Sequence, residues 1–388
     1  MAGLSEKTGL EIRSLVKSDG ELVLTLMRAP VPEPEADEVV IRVEATPINP
    51  SDMGWLFGSG AADMQTARQS GTIDEPVLTF KIPAQSMSLV ASRLDNPLRV
   101  GNEGAGVVVR AGSSPAAQEL LGKTVSAFSR GMYAQYNCVK AALCLVLPDG
   151  VSPAEGAASA VNPMTALSLV DIAKRDGHTA FVNTAAASNL GQLMLRVCHK
   201  DNLNLVCVVR EEAEADVLRR MGAKYVFISS SSTFTPDITR CLLETNATAV
   251  FDAVGGGALG TQLLACIEAA QASKLTGPHR YGSSVYKHLY IYGNLDPSPT
   301  ILDRRNLGAS YGISGFLMMP YLEKIGMEAT RQLQNRVMAE LKTTFAASFA
   351  REISLADALR IAEVNRYTQK ATGEKVLITP QKGLRDGR

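Results

Sequence analysis

The sequence predicts a two-lobed α/β protein, in which a β-rich domain is joined to a doubly wound parallel sheet clad in helices. Three observations carry this. The chain has 388 residues, more than the roughly 250–300 at which a single core stops growing. Residues 9–150 hold short β-type runs punctuated by Gly, Pro and Asp, among them ELVLTLMRAP, DEVVIRVEATPINP and GNEGAGVVVRAG, the texture of an antiparallel β domain. From Ser152 onward, helical stretches such as LGQLMLRVCHKDN and EEAEADVLRRMGA alternate with apolar runs TAFVNTA, LNLVCVVR, KYVFIS and ATAVFDAVG. Such alternation builds a parallel sheet covered on both faces.

Between the two textures, residues 58–97 show only weak periodicity. A structureless excursion of that length is uncommon in a compact domain, so the segment reads as a small helical insertion or a lid, with a surface insertion favoured. Beyond residue 315 a long helical stretch leads to a closing KVLITP.

Composition narrows the partners. Hydrophobic residues make up 46% and charged residues 20% of the chain, and 39 Lys plus Arg balance 39 Asp plus Glu. No basic patch for nucleic acid or anionic lipid is visible, so the expected partner is a small molecule, with neither nucleic acid nor membrane involved. The charged N-terminal stretch lacks a secretory apolar core, and no apolar run reaches about 18 residues, so the cytoplasm is expected. Cys138, Cys144, Cys198, Cys207, Cys241 and Cys266 form no CxxC pair and read as free, mostly buried thiols of a reducing compartment.

The most informative stretch is TAFVNTAAASNLGQLMLRVC, where an apolar strand ends, small residues follow and an amphipathic helix begins at Gly191. A dinucleotide diphosphate wants such a crossing, because free N–H groups and the positive helix end reach the anion only when no bulky side chain intervenes. The GxGxxG positions are here Ala186, Ser188 and Gly191, so a generic tight crossing remains the alternative on the motif alone. At the end of the next strand, where an NAD-binding chain commonly carries Asp or Glu, stands Arg210. Its guanidinium suits a 2′-phosphate, which points to NADPH over NADH. Glu211, Glu212 and Glu214 follow directly and would repel a phosphate if they turned inward; a solvated arginine heading a charged helix is the other reading.

With these residues in hand, the chain from about 20 to 380 resembles the zinc-independent medium-chain dehydrogenases/reductases, the branch of quinone oxidoreductases and 2-enoyl thioester reductases. The stretches that carry the resemblance are ATPINPSD, GNEGAGVVVRAG, GMYAQY, NPMTAL, AAASNLG, RRMGAKYV, VFDAVGG, IYGNL and ATGEKVLITP. It implies a GroES-like catalytic domain made of residues 1–152 and 340–388, a Rossmann NADP-binding domain over 153–339, a substrate cleft between them and a homodimer. Zinc-dependent members carry Cys where Asn49 stands, His where Asn102 stands and usually Cys near Val161. Neither Asn nor Val is a zinc ligand, so no metal is expected, and Glu103 reads as structural, bonded to backbone.

By motif position the resemblance places Asn49 beside the nicotinamide or substrate and Thr165 beside the nicotinamide ribose or its phosphate. Ala187, Ser188, Leu190 and Gly191 would line the diphosphate, and Val254 and Gly255 the ribose. Gly293 and Leu295 would lie at the strand end nearest the nicotinamide, Phe316 and Leu317 near its carboxamide, and Lys375 where the family has Gly-Lys. The reaction implied is NADPH-dependent reduction of a quinone or an α,β-unsaturated carbonyl compound by direct hydride transfer. Enoyl-CoA reduction and non-catalytic NADPH binding are the alternatives. Enoyl reductases of this kind carry a proton-donating tyrosine shortly after INPSD, whereas MGWLFGSGA follows here, with Trp55 and Phe57. Tyr133, Tyr281 and Tyr286 are substitutes on residue type alone, and Tyr133 joins Asn49 as the catalytic pair to examine.

Overall fold

In the computed structural model the chain divides into two compact units, Met1–Val161 with Val337–Arg388, and Asn162–Arg336. The structure describes residues 7–58, 60–277, 279–369 and 375–382, so positions 371–374 of the ATGEKVLITP stretch lie outside the described residues.

The first unit is built on two sheets. One runs in the order Asp63–Gly71, Pro76–Lys81, Glu21–Pro30, Thr8–Val16, Leu98–Arg99. In Glu21–Pro30 the alternation of the sequence is the alternation of burial: Leu22, Leu24 and Leu26 point inward and their neighbours outward, as the period of two in a strand requires. The other sheet contains Glu38–Pro47, flanked by Glu103–Ala111 and Tyr136–Lys140. The tail returns to it, since Val376–Ile378 pairs antiparallel with Glu38–Pro47 through Leu377 opposite Pro47. Ile353, Leu355 and Val376 share one core with Leu22, Phe57, Phe80 and Tyr133. The short helix Pro153–Gly156, capped by Ser152 and Glu155, packs on this unit's strands.

Residues 58–97 are built on β-strands, not as the small helical insertion the sequence suggests. They form the hairpin Asp63–Gly71 and Pro76–Lys81, which extends the first sheet beside Glu21–Pro30, and then the 3-10 turn Ala84–Arg93. The outer strand DMQTARQSG lies at the sheet edge with no fully buried residue in its pattern; Met64 and Ala67 pack half-buried against the core, three residues apart across an irregularity between Asp63 and Arg68, which breaks the period of two.

The second unit holds a six-stranded, wholly parallel sheet in the order Tyr225–Ile228, Asn204–Val209, Ala180–Asn183, Ala249–Asp252, Lys287–Ile291, Tyr311–Gly315. The order reverses at Ala180–Asn183, the first strand, so the sheet is doubly wound and the crevice at its carboxyl edge is where such sheets bind ligands. Val182, Val206, Val208 and Val250 are buried on the sheet, packed with Ile238, Leu242, Leu263 and Ile267 from the helices. The α/β architecture with a β-rich domain and a doubly wound sheet therefore stands as the sequence predicts. No helix among the described residues is long and apolar enough to cross a membrane.

Candidate functional site

The crossing from Ala180–Asn183 to the helix Asn189–Lys200 is held tight without glycines at its first two motif positions. Ala185 takes a left-handed φ of 45°, the conformation a glycine would relieve. Ser188 caps the helix, its Oγ accepting the Gly191 N–H at 3.2 Å, a contact worth about 1 kcal/mol. Gly191 is the position that tolerates no side chain: a Cβ there would stand 2.3 Å from the Ala186 carbonyl oxygen. The close approach seats the first turn of the 12-residue helix directly on the crossing, with Leu190 in that turn and the Gln192 side-chain amide donating to the Ala187 carbonyl at 2.7 Å. Those are the features a diphosphate cradle needs.

Asp252, at the end of Ala249–Asp252, is the residue that organises the neighbouring strand end. Its Oδ1 accepts from the Thr184 hydroxyl at 2.7 Å and from the Val254 N–H at 2.9 Å, and its Oδ2 accepts from the Gly255 N–H at 3.2 Å. Thr184 Oγ1 in turn accepts the Ala253 N–H at 2.9 Å. Gly255, at φ 79°, packs so closely that a Cβ would meet the Gly293 carbonyl at 2.6 Å, and a Cβ on Gly293 would meet Ala253 oxygen at 2.3 Å. Leu295 follows, donating its N–H to Ala253 oxygen at 3.2 Å. Phe316 is buried against Tyr321, Leu317 is exposed, and Thr165 donates to the Sδ of Met318 at 3.6 Å. The sheet registers bring Ala187, Ser188, Leu190, Gly191, Val254, Gly255, Gly293, Leu295, Phe316 and Leu317 to the same carboxyl edge.

Arg210 leaves that edge just after Asn204–Val209. Its backbone N–H is accepted by Glu214 at 3.0 Å, and its Nε lies 3.2 Å from Glu211 Oε1, with 77% of the side chain exposed. The guanidinium is therefore on the surface and paired loosely; a 2′-phosphate would have to replace Glu211 as its partner.

In the first unit, the INPSD motif ends Glu38–Pro47 and opens the helix Asp52–Phe57, and a buried polar knot forms there. Asn49 is 2% exposed, while Asp52 and Glu103 are 0% exposed. Glu103 Oε1 accepts from Asn49 Nδ2 at 2.7 Å, and Oε2 accepts the backbone N–H groups of Ala160 at 2.9 Å and Val161 at 2.8 Å. Asp52 accepts from the Asn49 N–H at 2.8 Å and the Asn102 N–H at 3.0 Å. Burial pushes the Asp52 carboxyl up to about 7, against the pull of these N–H donors. Burial also raises Glu103, opposed by the Lys375 charge and the Asn49 hydrogen bond. Lys375 is itself buried, which lowers its ammonium, while Glu103 and Asp52 draw it back up.

Tyr133 stands in this unit's core at 1% exposure, its hydroxyl donating to the Pro47 carbonyl at 3.2 Å and its acidity suppressed by burial and by the Asp52 carboxylate. A phenol so committed is a packing and hydrogen-bonding group. Tyr281 and Tyr286 belong to the second unit, Tyr281 69% exposed and Tyr286 hydrogen-bonded to His288. Among the described residues no group of three or more His, Cys, Asp or Glu is arranged to hold a metal ion.

Sequence reasoning missed Thr184, Asp252 and Asp52. The signal for Asp252 was available: it is an acid directly at the end of the apolar run in VFDAVGG, and an acid buried there must find donors.

No family model matches the chain. The quinone-oxidoreductase homolog of spinach (Spinacia oleracea) chloroplasts is 29% identical over 207 residues, 50% of this chain and 54% of that protein. The chain thus spans about half the length of that curated relative. Among solved structures, a Mesorhizobium loti protein assigned as an NADPH:quinone reductase superimposes with a TM-score of 0.72 at 23% identity, covering 97% of this chain and 100% of the other. A complex with NADP and crotonyl-CoA gives a TM-score of 0.65 at 18% identity, over 96% and 99% of the two chains. Combined with the doubly wound sheet and the β-rich unit, these likenesses show that the chain shares the fold of these solved structures.

Proposed function

We propose that the protein is an NADPH-dependent reductase of quinones or α,β-unsaturated carbonyl compounds, working by direct hydride transfer without a metal. The observation that carries the reading is the crossing at 184–191, where Gly191 packs on the Ala186 carbonyl too closely for any side chain, the close helix–strand packing that the third glycine of a dinucleotide-binding turn supplies. When bound, NADPH supplies the hydride. Ser188 and Gly191, with Ala187 and Leu190, hold the diphosphate at the helix end, and Arg210 exchanges Glu211 for the 2′-phosphate. Val254, Gly255, Gly293 and Leu295 shape the ribose and nicotinamide side, with Thr165, Phe316 and Leu317 next to them. Asn49 orients the reacting ring or the substrate, and Lys375 adds a cation to its surroundings. The metal-free assignment rests on Asn49, Asn102 and Val161, none of which is a zinc ligand. Positioning then carries the rate, and solvent, rather than Tyr133, protonates the product.

A second reading, reduction of 2-enoyl-CoA esters, is favoured by the likeness to the complex with crotonyl-CoA. NADPH oxidation measured against menadione, an enone such as methyl vinyl ketone, and crotonyl-CoA separates the two. Turnover of the first pair supports the leading reading, turnover of crotonyl-CoA alone supports the second, and binding of NADPH with no turnover leaves a non-catalytic nucleotide-binding protein. We further propose a cytoplasmic homodimer paired through the edge strand Tyr311–Gly315; a single monomeric species on sedimentation would refute the pairing.

A further inference from the structure

The buried knot of the first unit contains a carboxylate that the proposed reaction does not use. Glu103 is 0% exposed, and three N–H donors converge on it, one from the side chain of Asn49 and two from the backbone at Ala160 and Val161. Donors alone surround it, which matches an ionised, acceptor-only carboxylate. An Asn amide presents an oxygen at one end and an NH2 group at the other, and its hydrogen-bond partners decide which end points where. Against an acceptor that offers no hydrogen, only the Nδ2 end of Asn49 can face Glu103.

We infer that Glu103 is a positioning residue for the proposed hydride transfer, fixing the Asn49 amide in one of its two orientations. This rests on the reading of Asn49 as the group beside the nicotinamide or substrate. The fixing is rigid at both ends. Ala160 and Val161 hold Oε2, so Oε1 cannot swing away from Asn49, and Asp52 holds the Asn49 backbone N–H at 2.8 Å, so the amide cannot withdraw. Burial of both carboxylates excludes water that would otherwise let the amide turn over. A site that needs a donor and an acceptor at set places gains from an amide that cannot invert.

The isosteric change Glu103→Gln makes the distinction. Gln can keep its oxygen on the two backbone donors, but its NH2 then faces Asn49, which must turn its own oxygen inward. The fold is retained and the amide is inverted. The double change Asn49→Asp with Glu103→Gln re-forms the hydrogen bond with reversed polarity, so packing is restored without the amide.

The test measures NADPH affinity, thermal midpoint and kcat with the substrates above for the wild type, E103Q and the double variant. Selective [15N]Asn labelling reads the Asn49 side-chain N–H signals. We expect E103Q to keep the NADPH Kd within about twofold, lose kcat roughly tenfold or more, and lose the slowly exchanging Asn49 Nδ2 proton. The double variant should recover the thermal midpoint of the wild type and remain slow. Wild-type kcat in E103Q, or recovery of kcat together with stability in the double variant, would overturn the inference. If E103Q does not fold, the double variant decides alone. If the wild type turns over none of the substrates, the proposed function fails separately, and the Asn49 resonance still decides whether Glu103 fixes the amide.

Discussion

Two polar arrangements in this molecule differ in kind. In the first unit, Glu103 and Asp52 are fully buried, each accepting at least two N–H donors. In the second unit, Arg210 and Glu211 face each other at 3.2 Å with side chains 77% and 62% exposed. The buried arrangement has no water to fall back on, so every group has a fixed partner and a fixed direction. The exposed pair is worth about 0–1 kcal/mol and can be traded for a better partner. Rigid polarity is placed where the reaction is proposed to run, and exchangeable polarity where a nucleotide phosphate is proposed to arrive.

The crossing gives the first test of this contrast. Gly191→Val puts a side chain where a Cβ would already meet the Ala186 carbonyl at 2.3 Å. Affinity for both NADPH and NADH should fall at least about 100-fold, roughly 2.7 kcal/mol, in a protein whose circular dichroism shows it folded; retained binding would separate the crossing from the nucleotide. A buried pair in the second unit tests whether burial rather than domain sets the cost. Lys287, at 0% side-chain exposure, lies 2.8 Å from Glu268, and Lys287→Met removes the cation from that carboxylate, leaving it the Ser283 N–H and hydroxyl. Denaturant titration should show a loss of about 3–5 kcal/mol; a loss under about 1 kcal/mol would erase the contrast with the surface pair.

Arg210→Ala sharpens the exposed side. Loss of charge-assisted bonds to a phosphate should weaken NADPH about tenfold, near 1.4 kcal/mol, with NADH unchanged; equal loss for both nucleotides removes Arg210 from the phosphate site. A further effect concerns pH. Asp52 titrates at about 7 in the folded protein, above the roughly 4 of a free carboxyl. The folded state then binds the extra proton between those values, so this group's contribution to stability is complete below about pH 4 and is lost as pH rises through about 7. Asp52→Asn should flatten the decline in stability across that window, and an unaltered slope would show that Asp52 does not titrate there.

Much of the fold could be read in the sequence because its signals are local. Strand–helix alternation after Ser152 and the period-two runs before residue 150 report burial directly, and the reversal of strand order at Ala180–Asn183 matches the doubly wound sheet they imply. The hairpin inside 58–97 was illegible because its edge strand is largely exposed and irregular, so Met64 and Ala67, which pack on the core, stand three residues apart instead of two. Tyr133 shows the limit for sites. Residue type offered it as a proton donor, while its depth in the core and its bond to the Pro47 carbonyl depend on contacts 86 residues away in sequence. The Thr184 donor to Asp252 and the partners of Glu103 were hidden for the same reason, since they lie more than 50 residues away in sequence. Arg210 was legible as a residue, and its nearest acids were too, but which of them would pair with it was not.

The most direct test of the account is an equilibrium titration of the purified protein with NADPH and, separately, NADH, followed by the fluorescence of the reduced nicotinamide. One saturable site per chain is expected for both, with NADPH bound at least about tenfold more tightly, roughly 1.4 kcal/mol. Absence of saturation with either nucleotide would contradict it.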